Sequence, residues 1–485
     1  MRQAHKYTVL RQWRASSARA DKRSRGQTMV WVLAALAVSA AVMYGGFNLT
    51  QLSVAKERAV NTADAAALAG STVQARLLNL VAYNNRAMIA NEVFLIQMIS
   101  IQSWLQYVGK TANNFGTVAN MIGIFVPPVA VIGNVLKQIG SAIDKVQEGL
   151  GKANDAIVKL LELSKNVIYA AHTVVLNTGG LIAQDAAKAV ISANRSEFGV
   201  HKDAGVQLDN HAAVTGLTFV ANNQRWMQFT KLYQGQNRGD ARDVLLASRD
   251  EFSTSRPGAW WQKIPLTPFL GTEKNGGSEL KNFDRWQTQD TFEIWTKGKR
   301  KIYAPIGWGR SNADQNGTKG DTMSPGRAAQ SMARSQGSTH SGWSGVPKVY
   351  DISDKDVKSR ETKLKVDFLI AVRRPQANQQ TTTQMGIAVP TASPLGSPAM
   401  AETLEEGQLS AISKARVSFE RPKRGLANDT TASSLWREDS AKEYGSLFSP
   451  YWQARLVDLS PGEKIALYTA MGITPDKSLY TPGGQ

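Results

Sequence analysis

The chain has 485 residues, no cysteine and a formal net charge of +18. Its length suits about two or three domains, and a hydrophobic content of 42% is enough for a packed core. The lack of cysteine excludes disulfides, zinc–thiolate sites, iron–sulfur clusters and cysteine nucleophiles. No zinc-ligand spacing or RNA-binding signature accompanies the positive charge, so we expect contact with anionic lipid or envelope polymer and no nucleic-acid partner.

A basic leader at residues 1–25 precedes a long uncharged segment. The leader carries eight Lys or Arg residues against one Asp, a net charge of +7, and no charge follows from Gly26 to Ala55. An apolar stretch of about 20 residues spans a bilayer as a helix, and Thr28–Phe47 has that length without proline. Basic flanks remain in the cytoplasm. We therefore predict a single transmembrane helix within residues 26–50, with the rest of the chain on the far side.

A cleaved secretory signal peptide is the alternative to this anchor. Such peptides have an apolar core of about 7–15 residues that ends in a small-residue cleavage site. The core here is longer, and no clear Ala-x-Ala motif followed by a turn ends it. A retained anchor is the better interpretation.

The helical pattern continues beyond the apolar segment without proline. Small residues recur at every third or fourth position and form one stripe: Ala55, Ala59, Ala63, Ala67 and Gly70. Such a stripe permits close approach of another helix, so we predict a helix-packing surface. The alternative is an ordinary alanine-rich helix of high propensity.

Further helices are predicted up to residue 255. Ala87–Val108 suits a buried or interfacial helix, and Pro127-Pro128 breaks the uncharged stretch Thr111–Leu136, for which a second span or re-entrant hairpin stays open. Val129–Asn194 is again helical, with a break expected near residues 149–151. Its core-facing side is predicted from 3.6-residue spacing at Ile157, Leu160, Leu161, Ser164, Val167 and Ile168. Shorter helices are expected at 211–232 and 240–251, which makes residues 51–255 a helical stalk or bundle.

Residues 256–460 are predicted to be rich in β-structure. Lys363–Val372 alternates apolar and polar residues as a half-buried antiparallel strand does. Its expected partners are Thr291–Thr296, Lys299–Ile306 and Ala415–Glu420. Segments 307–345 and 375–407 are predicted to be mobile loops.

A short helix followed by a flexible tail is expected at residues 461–485. Ser460, Pro461 and Glu463 have the order of a capping box with proline at the first helical position. The predicted fold class is therefore α+β, with an N-terminal transmembrane helix, a helical stalk and a distal β-rich domain.

The sequence contains no recognisable catalytic, cofactor or metal motif. The five histidines, at 5, 172, 201, 211 and 340, lack metal-ligand spacing. Asp314-Gln315-Asn316-Gly317 starts like a calcium loop but fails the EF-hand register, so a polar turn is expected. Asp351-Ile352-Ser353 starts like a von Willebrand A metal site, but Lys355 stands where a second serine is needed. We expect no enzyme activity, cofactor, metal or small-molecule substrate.

A family resemblance is carried by the order of basic leader, Arg25-Gly26-Gln27, apolar helix and NTADAAALAG at residues 61–70. This order resembles TadE/TadG-like proteins of tight-adherence (Flp) pilus loci. AYNNRAMIANE at Ala82–Glu92 and SPYWQARL at Ser449–Leu456 are similar to a bacterial subgroup of them. The resemblance covers about residues 22–110 and is looser beyond.

The resemblance implies a pseudopilin-like or pilus-assembly component in the bacterial inner membrane, with its body in the periplasm. Its implied partners are other pilus-assembly or minor pilin proteins and inner-membrane lipid. Pilin-like relatives are cut after a glycine and carry Glu five residues later, so Gly26 and Gln27 form a possible processing site in which Trp31 occupies the acidic place. Because Trp31 supplies no carboxylate, we expect an uncut anchor.

Two rival functions stay open at this point. The first is a surface-exposed adhesin or minor pilin at a filament tip, which would use the same anchor and expose the β-rich region. The second is an envelope enzyme or solute-binding protein, which would need a polar constellation that the sequence does not display.

Overall fold

The computed structural model describes residues 27–124, 127–196, 207–208, 212–257, 270–296, 302–321, 323, 328–353, 364–374, 409–420 and 445–470. The leader with Gly26, His5, His201, His211, the segment 375–407 and the tail after residue 470 lie outside the described residues.

Two long helices dominate the fold. Helix α1 (Gln27–Gly123) has 97 residues and helix α2 (Pro127–Ser196) has 70. At 1.5 Å per residue, α1 is roughly 146 Å long. The helix is broken at the double proline, as predicted, and α2 then runs antiparallel beside α1.

Hydrogen bonds along the hairpin show how far the two helices run together. Near the tip, Asn113 donates to Asp144 at 3.1 Å, and near the other end Asn194 donates to Thr62 at 3.3 Å. The first turns of α1, from residue 27 to about 54, therefore extend beyond the end of α2. The break predicted near residues 149–151 is wrong, since α2 continues through them.

Shorter helices and three sheets complete the described chain. The helices are α3 (Ala212–Phe229), α4 (Gly239–Ala247), α5 (Glu251–Thr254), α6 (Ala328–Gln336) and α7 (Pro461–Ala470). The strands are β1 (Gln207–Leu208), β2 (Thr230–Tyr233), β3 (Leu270–Lys281), β4 (Arg285–Thr296), β5 (Ile302–Asp314), β6 (Ser338–His340), β7 (Val349–Ile352), β8 (Lys365–Arg374), β9 (Leu409–Phe419) and β10 (Trp452–Leu456).

The two larger sheets lie at different heights along α1. The proximal sheet has the order β1-β8-β9-β10 and packs against the segment from Ala59 to Val81. The distal sheet has the order β3-β4-β5-β6 and reaches α1 farther along, where Ser103 donates to Asp290 at 2.8 Å and Asn114 donates to the Ile306 carbonyl at 2.7 Å. The fold class is α+β, as expected, and both sheets flank the helical hairpin.

The strand partners were predicted only in part. Strand β8 pairs with β9, which includes the expected partner near residue 415. The other two expected partners belong to the distal sheet, as β4 and β5. Alternation identifies a strand but not its neighbour, because pairing depends on contacts between residues that are distant in sequence.

The prediction of a mobile loop over residues 307–345 is wrong for most of that segment. It contains the end of β5, helix α6 and strand β6, and Ala333 and Trp343 are buried. Its glycines have a packing role. A Cβ on Gly309 would lie 1.9 Å from the Ser103 carbonyl oxygen, so glycine is what allows β5 to lie against α1.

The core-facing side predicted for α2 is also partly wrong. Leu161 and Ile168 do pack against the central hydrophobic core. However, Leu160 and Val167 are 65% and 61% exposed. The six residues predicted to face the core cover a broad part of the circumference of α2, and α1 packs against only some of them.

Candidate functional site

The apolar start of α1 is uncovered in the described structure. Its most apolar 18-residue window has a mean hydropathy of 1.9, and none of that window is buried. Trp31 is 75% exposed on this segment. Among the described helices, α1 is the one whose length and composition fit a membrane crossing, which makes its start a candidate span.

The stripe Ala55, Ala59, Ala63, Ala67 and Gly70 is buried just beyond this apolar start. Ala59, Ala63 and Ala67 pack against small and apolar side chains of α2 and of the proximal sheet, namely Ala183, Ala187, Ile191 and Phe368. A Cβ on Gly70 would lie 2.5 Å from the Phe368 ring. This chain's own helix and sheet therefore cover the stripe.

Polar side chains of α1 attach the C-terminal region farther along the helix. Asn79 donates to the Trp452 carbonyl at 3.0 Å and accepts from its N–H at 3.0 Å, which fixes the start of β10. Asn85 donates to the carbonyls of Tyr350 and Leu447 at 2.9 and 2.8 Å, and Arg86 donates to that of Phe448. The two motifs at 82–92 and 449–456 therefore lie close together, although more than 350 residues separate them.

A groove lies beside this junction. It has a volume of about 870 Å³ and mixes apolar walls with a few charges; its lining includes Arg86, Val93, Phe94, Asp240, Asp351 and Phe448. Asp351 Oδ1 accepts the backbone N–H of Leu447 at 2.7 Å. The carboxylate that begins the apparent von Willebrand A motif thus helps to shape the groove.

A buried charge cluster joins both helices to the loop after β6. Lys165 Nζ lies 2.9 Å from Glu92 and 2.7 Å from Glu162, and it donates to the Gly345 carbonyl at 3.0 Å. Trp343 donates to Glu92 at 2.7 Å. Burial raises the pKa of the Glu92 carboxyl, and Lys165 opposes part of that rise. Such a cluster specifies one docking geometry, because removal of Lys165 leaves Glu92 buried without a cation.

A second polar cluster connects the distal sheet to α1. Arg256 makes a bidentate pair with Asp290 at 2.9 and 2.8 Å, and both side chains are buried. Asp290 also accepts the hydroxyl of Ser103 from α1. Bidentate pairs fix orientation as well as distance, so Arg256 holds the Asp290 carboxylate in place to accept the Ser103 hydroxyl of α1.

The two described histidines lie in the hairpin region and serve packing. His340 Nδ1 lies 2.6 Å from Asp155 Oδ1, and its Nε2 lies 2.6 Å from Gln102 Oε1. His172 is buried on α2 beside Tyr350, and burial lowers its pKa to about 4. Within the described residues, no group of three or more His, Asp or Glu side chains could hold a metal ion.

The turn that begins like a calcium loop is a polar turn, as predicted. The Asp314 carboxylate accepts the backbone N–H groups of Asn316 and Thr318 at 2.9 and 3.0 Å. Burial alone would raise the pKa of Asp314, but hydrogen bonds from Thr318 and Arg285 hold it below its usual value. The carboxylate therefore stabilises its own loop.

Comparison with known proteins identifies the first part of α1. Residues 26–76 match the family model described as putative Flp pilus-assembly TadE/G-like. No curated protein and no solved structure matches the chain significantly. The family match contains the apolar start and the whole small-residue stripe, so the resemblance is confirmed over these residues.

Proposed function

We propose that this chain is a membrane-anchored structural or assembly component of a Tad/Flp-type pilus, acting through helix packing and protein–protein contacts. The observation that carries the proposal is the family match over residues 26–76, which coincides with the uncovered apolar start of α1 and the stripe behind it. The partners are other pilus-assembly or minor pilin proteins together with inner-membrane lipid. Catalysis and a small-molecule substrate have no part in this proposal.

The proposed topology is a single pass through the bacterial inner membrane, with the amino terminus in the cytoplasm and the bulk in the periplasm. The leader charge of +7 supports this orientation. The uncharged segment 111–136 lies at the hairpin tip, and about 96 Å of α1 separates Thr111 from Phe47. Because a straight α1 places this tip farther from the N-terminal segment than a bilayer is thick, the two segments do not lie in the same bilayer. This arrangement favours a single crossing.

Reporter fusions test this topology. We expect alkaline phosphatase fused after residues 60, 115 and 200 to be active in all three cases, and a fusion after residue 22 to be inactive. Loss of activity between positions 60 and 200 would mean a second crossing and would refute the single-pass arrangement.

The geometry supports a rigid arm that presents surfaces far from the membrane. Trp343 donates to Glu92 and Asp290 accepts from Ser103, and these buried contacts attach the distal sheet and the loop after β6 to the hairpin. Buried charges held by such hydrogen bonds favour one arrangement over a flexible tether. A fixed arm suits an assembly factor, which has to hold its partners at a set height above the bilayer.

Gene deletion and complementation test the pilus assignment. We expect deletion to reduce surface pili, seen by electron microscopy and as pilin in the sheared fraction, and the full chain to restore them. A variant with Leu36→Arg and Val38→Arg, which charges the exposed apolar segment, is expected to fail, whereas the solvent-exposed control Glu148→Gln is expected to succeed. Normal pili in the deletion strain would overturn the proposal.

The amino terminus of the purified protein separates an assembly factor from a filament subunit. We propose that the leader is retained, because Trp31 stands where a processed pilin carries Glu. Intact mass is the measurement. A mature chain that begins at Gln27 would instead favour a pseudopilin or minor pilin, including the alternative of an adhesin at the filament tip.

A further inference from the structure

Helix α2 carries two regular rows of exposed residues on its outer side. The first row takes every seventh residue from Ile132 to Leu181, and the second takes every seventh residue from Val135 to Asn177. Every member of both rows is exposed. Among the large apolar side chains of α2 that are exposed, only Val131 and Ile182 fall outside the rows.

The two rows have the spacing of the a and d positions of a coiled coil. Positions a and d lie three and four residues apart and repeat every seven, and β-branched side chains at a are typical of two-stranded coils. The first row contains Ile139, Val146, Leu160, Val167, Val174 and Leu181. The second row contains mainly alanine and glycine, which let two backbones approach closely.

The opposite side of α2 is of mixed character. Facing α1, it buries the large apolar side chains of Val158 and Leu176 together with polar ones, among them Asn154, which donates to Gln102 at 3.0 Å, and Lys165. A helix that folds alone buries its apolar stripe and exposes its polar face. Because α2 exposes a second row of large apolar side chains in addition to the ones it buries, its outer rows need a partner that the single chain does not supply.

We propose that the outer rows of α2 form a parallel two-stranded coiled coil with α2 of a second copy of this chain. The seven-residue repeat predicts a left-handed supercoil along the pair. The parallel direction rests on the proposed membrane anchor, because two copies anchored in one bilayer point the same way. The rows themselves are independent of that anchor.

Charge and area agree with this occupant. Lys145, Lys152 and Lys159 line one flank at g positions, and in a parallel pair they face the e positions Leu150, Ile157 and Ser164 of the other copy, so that no like charges oppose each other.

From Ile139 to Leu181 the seam is about 63 Å long, and a face about 10 Å wide gives roughly 600 Å² per copy. The pair then buries about 1,200 Å², which is the lower end for a specific interface. Shared anchoring in one membrane raises the effective concentration and favours such a contact.

Single cysteines test the seam directly, because the chain has none of its own. Val146→Cys, Leu160→Cys and Val174→Cys are introduced one at a time into the full chain, and native membranes are oxidised before non-reducing electrophoresis. Ser141→Cys and Glu148→Cys serve as matched controls, since both positions are exposed on α2 outside the rows. We expect disulfide-linked homodimers at all three a positions and none at the controls.

Each other pattern overturns the proposal. Linkage at only one of the three positions indicates an antiparallel pair. Absence of linkage indicates that the rows make no contact with a second copy. Equal linkage at the controls indicates non-specific contact, and linkage to a protein of different mass indicates another partner.

Charge insertion provides an independent measurement. Leu160→Glu with Val167→Glu should convert the detergent-solubilised full chain from twice the monomer mass to the monomer mass in light scattering, whereas Ser141→Glu should leave the dimer. These side chains are exposed, so the variant retains its fold. A wild-type monomer, or a dimer that survives the double substitution, refutes the seam. Neither assay depends on pili, so failure here is distinct from failure of the pilus assignment.

Discussion

The hairpin carries two apolar surfaces that differ in side-chain size and in what covers them. The stripe on α1 consists of alanine and glycine and is buried by α2 and the proximal sheet. The outer rows of α2 are exposed; isoleucine, valine and leucine dominate the first row, and alanine and glycine the second. The buried stripe marks the place where backbones of one chain come close, whereas the bulky seven-residue repeat of the first row marks a surface that the chain leaves for another helix.

The largest expected effect comes from the charge cluster that holds both helices in place. Lys165→Met leaves Glu92 buried without its cation, and we expect a loss of about 3–5 kcal/mol in the free energy of unfolding. Urea unfolding of the solubilised protein measures it. The double variant Glu92→Gln with Lys165→Met should recover most of the loss. A single variant as stable as wild type would mean that the cluster does not join the helices.

The covered stripe should respond strongly to added volume. Ala63 is fully buried between α2 and the proximal sheet, so Ala63→Leu should cost about 1–3 kcal/mol through overpacking. Ala65→Leu is the matched control, because Ala65 is exposed on the same turn. Equal stability of the two variants would show that the stripe is not packed within the chain. Its function would then be contact with other proteins.

The sequence predicted the helix break at the double proline and the capping box, because each depends on residues close together in the chain. In the capping box, the Ser460 hydroxyl and backbone N–H both donate to Glu463 at 2.8 Å. The contacts of Asn79 and Asn85 with residues 447–452 could not be predicted, because the sequence around an asparagine does not determine which distant carbonyl accepts its hydrogen bond. The exposed rows were not predicted, because a 3.6-residue period places Leu160 and Val167 on the same face as their buried neighbours. A seven-residue period assigns Leu160 and Val167 to one row and leaves the buried neighbours out of it.

The hairpin interface should also be sensitive to acid. Burial lowers the pKa of His172 to about 4, so the unfolded chain, with an ordinary histidine pKa of about 6.5, binds a proton that the folded chain does not. The free energy of unfolding is therefore not reduced by His172 above pH 6.5. It decreases as the pH falls from 6.5 towards 4, by up to about 1.4 kcal/mol per pH unit. Unfolding free energies at pH 7.0 and 5.5 measure it. His172→Phe should reduce the difference, and an unchanged difference would assign it to other groups.

The smallest expected effect concerns the outer rows and depends on protein concentration. Val174 is 62% exposed, so Val174→Ala should change the stability of the isolated monomer by no more than about 0.5 kcal/mol. At higher concentrations the wild-type dimer gains stability by mass action, and a variant that associates less gains less. In detergent solution, the difference in unfolding free energy between wild type and Val174→Ala should therefore be near zero at low protein concentration. It should grow as the protein concentration is raised. A large difference at all concentrations would mean that Val174 is covered within one chain, and the contrast between the two surfaces would then fail.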